Sequence, residues 1–154
     1  MRERERDAQI AAIAAEFGIE ATLESSFAPW VIVGRVDGRS FYLRERWGDY
    51  TLEVAGDDHP SVTSWTTGDP TSGITVRSGD ATDLGPASSP PDYREALTLI
   101  TVTIREFLRR RACDHPHRSA ADWFCSRCGE CLVDLAHPPA EPTPAERDGE
   151  GRRS

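Results

Sequence analysis

The sequence predicts an α+β fold, in which an antiparallel meander sheet of three to five strands is packed by an N-terminal helix and a long C-terminal helix. Two amphipathic stretches with helical spacing flank a region where apolar residues alternate around an Asp-Gly turn. The chain has 154 residues, of which 38% are hydrophobic, enough for one compact core and a small satellite. We therefore expect a core domain over residues 1–111, a cysteine-rich module over 112–135 and a disordered, acidic and proline-rich tail over 136–154.

The first helix is predicted over residues 4–17. Its apolar side chains recur three and four residues apart, at Ile10, Ile13, Ala14 and Phe17. Gly18 follows as a helix stop. Residues 19–25 then alternate apolar and polar side chains, which predicts a first strand directly after the helix.

A β-hairpin is predicted around Asp37-Gly38, because this dipeptide favours a two-residue turn whose twist matches that of the flanking strands. The turn sets the register, so that residue 36 pairs with 39, 34 with 41, 32 with 43 and 30 with 45. Phe41 then covers Gly34, and one face carries the apolar residues Trp30, Ile32, Val36, Phe41 and Leu43. The opposite face is only partly apolar and is expected to be solvated or engaged by a partner: Val31, Val33, Tyr42, Arg44 and Arg46.

The region after the hairpin is less regular. Apolar residues alternate from Tyr50 to Val54, which predicts a further strand after a turn at Gly48-Asp49. Residues 56–91 are rich in Gly, Pro, Asp, Ser and Thr, a composition that indicates loops or a loose hairpin. Weak strand signals occur there at residues 61–66 and 74–77.

The longest helix is predicted to begin at Ser89-Pro90-Pro91-Asp92 and to end near Ala112. Serine caps a helix, proline fits its first turn, and aspartate is stabilised at the positive end of the helix dipole. The buried stripe is predicted to consist of Tyr93, Leu97, Ile100, Ile104, Phe107 and Leu108. A helix of this length delivers Cys113 directly to the segment that follows.

All four cysteines and two of the four histidines lie within the nineteen residues from Cys113 to Cys131. Thiolates and neutral imidazoles bind Zn2+ tetrahedrally, and ligands two or three residues apart let a short segment present two donors to one ion. The pattern therefore predicts a zinc site whose first-choice ligands are Cys113, His115, Cys125 and Cys128.

Local geometry supports this choice and leaves two alternatives open. Pro116 favours an extended conformation at His115, which projects Cys113 and His115 to the same side. Gly129 after the second cysteine of Cys-x2-Cys tolerates the positive φ of a tight turn. His117 could replace His115, and Cys131 could complete an all-cysteine set.

The Cys-x-His pair and the Cys-x2-Cys-Gly pair, with Trp123-Phe124 just before the second, resemble small zinc-ribbon modules. The resemblance covers about residues 112–135 only. It implies a bound metal and leaves the activity open, since some zinc ribbons bind nucleic acid, some bind proteins and some only stabilise a fold. A zinc ribbon usually has two Cys-x2-Cys knuckles, and here a Cys-x-His arm stands in place of one.

Other interpretations of these residues are less consistent with the sequence. Disulfides would need a secretory signal, and the first seven residues, MRERERD, have no apolar core for one. A redox Cys-x-x-Cys normally opens a helix after a strand, which is not predicted here. A catalytic zinc would require an open water position beside a general acid or base such as Glu130. Asp57-Asp58-His59 is interpreted as a solvated turn. With these alternatives set aside, we expect a structural zinc and no enzyme activity.

Charge is unevenly distributed along the chain. The formal net charge is −8, and residues 1–104 carry nine arginines against 17 acidic residues, whereas residues 105–131 have a net charge of +2. Arg109, Arg110, Arg111, Arg118 and Arg127 could therefore contact phosphates around the zinc. The favoured interpretation is that the arginine run stabilises the negative end of the helix, because the acidic remainder would repel nucleic acid.

These observations favour a non-enzymatic zinc-binding interaction protein, a small regulator or adaptor whose partner is another protein. Aromatic residues such as Trp47, Trp65 and Trp123 and the lack of a catalytic constellation support it. The alternative is a nucleic-acid-binding protein that uses the basic zinc region, and a zinc enzyme is a remote third. The order of helices and strands is also analogous to small secretion-chaperone-like folds that bind polypeptides.

Composition also indicates source and location. All eighteen basic residues are arginine, and the chain contains no asparagine. This bias is expected of a GC-rich genome, so we expect the source to be a high-GC bacterium or a bacteriophage of one. No window approaches the length of an apolar membrane span. We therefore expect a cytoplasmic protein without membrane association.

Overall fold

A computed structural model describes residues 2–26, 29–85, 92–113, 124–125 and 127–129 of the chain. Tertiary contacts divide the chain into two units, Met1–Arg109 and Arg110–Ser154. The elements are α1 Arg2–Glu16, β1 Glu20–Ser25, β2 Trp30–Val36, β3 Arg39–Arg46, β4 Asp49–Ala55, α2 Ser64–Thr67, β5 Gly73–Asp80, a 3-10 helix Ala81–Leu84 and α3 Tyr93–Arg111. The predicted α+β fold is confirmed. The proposed boundaries at residues 111 and 135 stay a prediction, and the tail over 136–154 lies outside the described residues.

The five strands form one antiparallel sheet in the order β1-β2-β3-β4-β5. The β2–β3 register is the one that the Asp-Gly turn predicts, with Val36 opposite Arg39 and Trp30 opposite Glu45. Asp37 and Gly38 have φ values of 47° and 84°, as a two-residue turn of this type requires. A simple meander of hairpins therefore positions every strand.

The turn between β3 and β4 lies one residue earlier than predicted. Arg46 pairs with Asp49, so Trp47 and Gly48 form the turn, with φ values of 61° and 89°. The prediction of a Gly48-Asp49 turn is therefore wrong by one residue. A bulky residue rarely adopts positive φ. Trp47 does so here, which is an unusual feature for the described fold.

The core lies between the two long helices and the inner face of the sheet. All five hairpin residues predicted for this face are buried, as are Ile10, Ile13 and Ala14 of α1. The predicted stripe of α3 is buried from Tyr93 to Ile104, and the side chains of Phe107 and Leu108 are half-buried. Burial of such a stripe stabilises a helix whose β-branched residues lower its intrinsic propensity.

The outer face of the sheet is partly covered by residues 56–72. The buried Glu53 carboxylate accepts hydrogen bonds from the backbone N–H and the hydroxyl of Ser64, at 2.6 Å and 2.5 Å. Trp65 of α2 stacks on Tyr42 of β3, with ring centroids 5.5 Å apart. The strand predicted at 61–66 is therefore wrong, because local Thr63–Thr66 hydrogen bonds form a helical turn instead. The signal at 74–77 is confirmed within β5.

The long helix begins later than predicted. The Asp92 carboxylate accepts hydrogen bonds from the backbone N–H groups of Arg94 and Glu95, at 2.9 Å and 3.3 Å, so Asp92 is the N-cap. The predicted cap, Ser89, lies outside the described residues and precedes this start. Asp92 is part of the predicted start, and it both caps the helix and stabilises the positive end of its dipole.

Candidate metal centre

Three of the predicted ligands converge in the unit Arg110–Ser154. The Sγ atoms of Cys113, Cys125 and Cys128 all lie within 4.8 Å of one another, and the cysteines are free thiols. The Cys113 and Cys125 sulfurs are 3.7 Å apart, far beyond the roughly 2.05 Å of a disulfide bond. Cys125 and Cys128 are only 6% and 4% exposed. Such a group of thiols could bind a metal ion.

The backbone around each cysteine explains how a short segment builds this group. Cys113 follows α3, and its N–H donates to the carbonyl of Arg110 at 3.2 Å, a tightened last turn. The Gly129 N–H donates to the Cys125 carbonyl at 2.7 Å, which closes the turn that contains Cys128. Gly129 has φ +75°, so the predicted positive φ after the Cys-x2-Cys pair is confirmed.

The remaining candidate ligands are not placed. His115, His117 and Cys131 lie outside the described residues, as does Glu130. Within the described ranges, the cluster consists of the three cysteines alone. The full ligand set therefore stays a prediction, in which the fourth donor comes from one of the two histidines or from Cys131.

The arginines near the end of α3 have specific acidic neighbours. Within the unit Met1–Arg109, Arg105 forms a two-pronged contact with the Asp37 carboxylate at 3.1 Å and 3.2 Å and also donates to the Phe17 carbonyl. Arg109 lies 3.9 Å from the Glu106 carboxylate. The Arg105 contacts connect the helix to the hairpin turn and to the end of α1, which gives Arg105 a structural role. The Arg109 contact joins two exposed residues within α3.

Other arginines of the predicted basic patch are only partly described. Arg110, Arg111 and Arg127 are exposed, and Arg118 lies outside the described residues. Contact of any of them with phosphate stays a prediction.

The Asp57-Asp58-His59 segment behaves as a turn. All three residues are exposed, and the Asp57 carboxylate forms an ion pair with Arg39, whose guanidinium also donates to the Ala55 carbonyl at 3.1 Å. The pair fixes the chain as it leaves β4.

Comparison with protein-family models, with curated proteins and with solved structures found no match to this chain. Over residues 112–135 the structure therefore supports a group of three cysteines that could bind a metal ion, and the zinc ribbon stays a prediction. No helix in the described ranges is long and apolar enough to cross a membrane.

Proposed function

We propose that this protein is a non-enzymatic zinc-binding interaction protein, a small regulator or adaptor that docks on another protein. The observation that carries the proposal is the convergence of three thiols within 4.8 Å. Zinc–thiolate bonds of about 2.3 Å in a tetrahedron place two sulfurs roughly 3.7–3.8 Å apart. The 3.7 Å between Cys113 and Cys125 fits that edge. Soft thiolate ligands favour zinc among the common divalent ions.

The zinc in this proposal is structural. The two buried thiols, Cys125 and Cys128, leave little solvent access for an open catalytic position. A segment this short cannot bury an apolar core of its own, so metal binding supplies its folding free energy. His115 completes the proposed tetrahedron, with His117 and Cys131 as alternates. Zinc thiolates persist in a reducing compartment, and we assign the protein to the cytoplasm.

The docking element in this proposal is the aromatic surface beside the metal. Phe124, directly before Cys125, is 62% exposed. Aromatic residues are enriched in the buried centres of protein interfaces, where they provide large contact area at low entropic cost. Zinc binding at the neighbouring cysteine would hold Phe124 in one orientation. A rigid, exposed aromatic residue of this kind suits recognition of a protein partner.

Removal of zinc by a chelator is expected to unfold the metal-binding module and to leave the sheet core folded. The core of Met1–Arg109 is built from apolar burial and does not include the thiols, so it should survive zinc removal. In hydrogen exchange with and without a chelator, the backbone amides after about residue 112 are expected to lose protection on chelation. Those from Val31 to Leu43 should retain it. Unfolding of the whole chain on chelation would show instead that the metal supports the entire fold.

Partner capture is expected to depend on Phe124 and not on the arginine run. In a pull-down from host lysate, Phe124→Ala should weaken capture at least about ten-fold, because it removes an aromatic anchor. The matched variant, in which Arg109, Arg110 and Arg111 are all replaced by Gln, should leave capture largely intact, since ion pairs of exposed side chains contribute little. Quantitative mass spectrometry of the bound proteins measures both effects.

The same variants test the nucleic-acid alternative. Wild-type protein is expected to bind duplex or single-stranded DNA weakly at physiological salt, because the −8 charge of residues 1–104 opposes the local +2. Submicromolar DNA binding that disappears in the triple Gln variant, with a flattened salt dependence, would promote the nucleic-acid function over the protein-docking function.

A further inference from the structure

The three clustered cysteines differ in their access to solvent. Cys113, just after α3, is half-buried, whereas Cys125 and Cys128 are only 6% and 4% exposed. Oxidation of a cysteine depends on the exposure of its sulfur and on its thiolate character. A small oxidant in solution therefore reaches Cys113 before it reaches the two buried thiols.

A second thiol lies within reach of Cys113. Its Sγ atom is 3.7 Å from that of Cys125, and a disulfide bond requires about 2.05 Å, so the two sulfurs must approach by roughly 1.7 Å. Cys113 lies beyond Arg111, the last residue of α3. Rotation of its side chain can bring the sulfurs together without bending the helix.

Metal binding keeps these sulfurs in their reactive form. Cysteine binds a metal ion as the thiolate, and the thiolate is also the form that attacks an oxidant. The groups that hold the ion are therefore the groups that a peroxide can remove. Of the three thiols in the cluster, Cys113 combines this reactivity with access from solvent.

We infer that Cys113 is a site of oxidation, at which hydrogen peroxide forms a reversible disulfide with Cys125 and so releases the metal ion; this inference rests on the proposed function. The Cys113 thiolate attacks one peroxide oxygen, the O–O bond breaks, and a sulfenic acid forms as hydroxide leaves. The Cys125 thiolate then attacks the Cys113 sulfur, the S–O bond breaks, and a second hydroxide leaves. The two sulfurs lose two electrons, the peroxide gains them, and two protons from solvent convert the hydroxides to water.

The disulfide removes two donors from a site that needs four. Cys128 and the fourth donor alone do not complete the tetrahedron, so the divalent ion leaves with its charge unchanged. Since metal binding supplies the folding free energy of the module, Phe124, directly before Cys125, then loses its fixed orientation. Disulfides in the cytoplasm are typically transient and redox-sensing, and reduction by a thiol restores the docking surface.

Trypsin places the three clustered cysteines on three different peptides. Cleavage after the arginines of this region yields 112–118, 119–127 and 128–147, of which the first contains Cys113, the second Cys125 and the third both Cys128 and Cys131. A disulfide between Cys113 and Cys125 therefore joins 112–118 to 119–127. Every other pairing of the four cysteines gives a different product.

The experiment treats the purified full chain with hydrogen peroxide and follows zinc release with a chromogenic chelator. A non-reducing tryptic digest is then analysed by mass spectrometry. We expect about one disulfide for each zinc ion released, because a single disulfide removes enough donors to empty the site. The bond should join 112–118 to 119–127, and dithiothreitol with added zinc should restore the free thiols and the bound metal.

Two variants locate the oxidised thiol. Cys113→His supplies another zinc ligand that cannot form a disulfide. It should release zinc at least about ten-fold more slowly than the wild type, because the remaining thiols of the cluster are buried. Cys131→Ser removes a competing thiol and should show the wild-type rate and the same linkage. If Cys113→His binds no metal, the digest of the wild type still identifies the linkage.

Three outcomes would overturn the inference. The first is zinc release with a different linkage, such as a bond between 119–127 and 128–147. The second is persistence of zinc and of all thiols under conditions that fully oxidise free glutathione. The third is release from Cys113→His at the wild-type rate. A chain that purifies without metal but still links 112–118 to 119–127 would instead refute the proposed function, so the two failures are distinguishable.

Discussion

Serine replacement of Cys125 or Cys128 is expected to release the metal ion. Both thiols belong to the cluster in which all sulfurs lie within 4.8 Å, and a hydroxyl is a far poorer ligand for zinc than a thiolate. Loss even of an outer-shell partner weakens metal binding about 10–100-fold, so loss of a ligand should exceed roughly 100-fold. Elemental analysis of the purified protein is expected to find about one zinc per wild-type chain and much less in either variant.

The same measurement can identify the fourth ligand. Cys113→Ser should behave like the other two cysteine variants, because its sulfur lies 3.7 Å from that of Cys125. His115→Ala is expected to lose zinc, whereas His117→Ala and Cys131→Ser should retain it and serve as matched controls. Retention by His115→Ala with loss in one of the other two would identify an alternate ligand. Full zinc retention in both Cys125→Ser and Cys128→Ser would refute the proposed site.

The hairpin shows how much of this fold could be predicted from the sequence. Asp37-Gly38 determines both the turn and the register, because side chains alternate strictly along paired strands. Once residue 36 faces 39, the burial of Ile32 and Leu43 follows without tertiary information. The grouping of the cysteines could also be predicted, since close spacing in the sequence restricts how far the thiols can separate in space.

The features that sequence reasoning missed depend on contacts between distant residues or on tolerated strain. The helical turn at Ser64 has local Thr63–Thr66 hydrogen bonds, and it is also held by Glu53, a carboxylate eleven residues earlier on the outer face of the sheet. No local pattern reveals that pairing. Trp47 occupies a conformation that statistical preference assigns to smaller residues, so the turn was placed one residue late. Local rules describe the average cost of a conformation, so they do not predict a turn that departs from that average.

Gly34→Ala is expected to destabilise the fold by roughly 3 kcal/mol or more, as overpacking against backbone allows little relaxation. A Cβ atom at Gly34 would lie 1.9 Å from the Glu20 carbonyl oxygen and 2.8 Å from Cε1 of Phe41. The Phe41 ring could rotate away, but the Glu20 carbonyl belongs to β1, which is paired with β2 at this point. Relief therefore requires β1 to separate from β2, and urea denaturation should report the loss.

Two other glycines provide matched controls for the same chemical change. A Cβ at Gly56 meets no atom within 4 Å and its φ is not positive, so Gly56→Ala should be neutral or stabilising by up to about 1 kcal/mol. Gly38 is equally open but has φ +84°, so Gly38→Ala should cost only about 1–2 kcal/mol, the penalty of a left-handed residue. If Gly34→Ala unfolds at the same urea concentration as Gly56→Ala, the close approach of β1 to Gly34 is wrong. If the backbone clash dominates, shortening Phe41 to Leu in the Gly34→Ala background should fail to restore stability, because the Glu20 carbonyl is still in place.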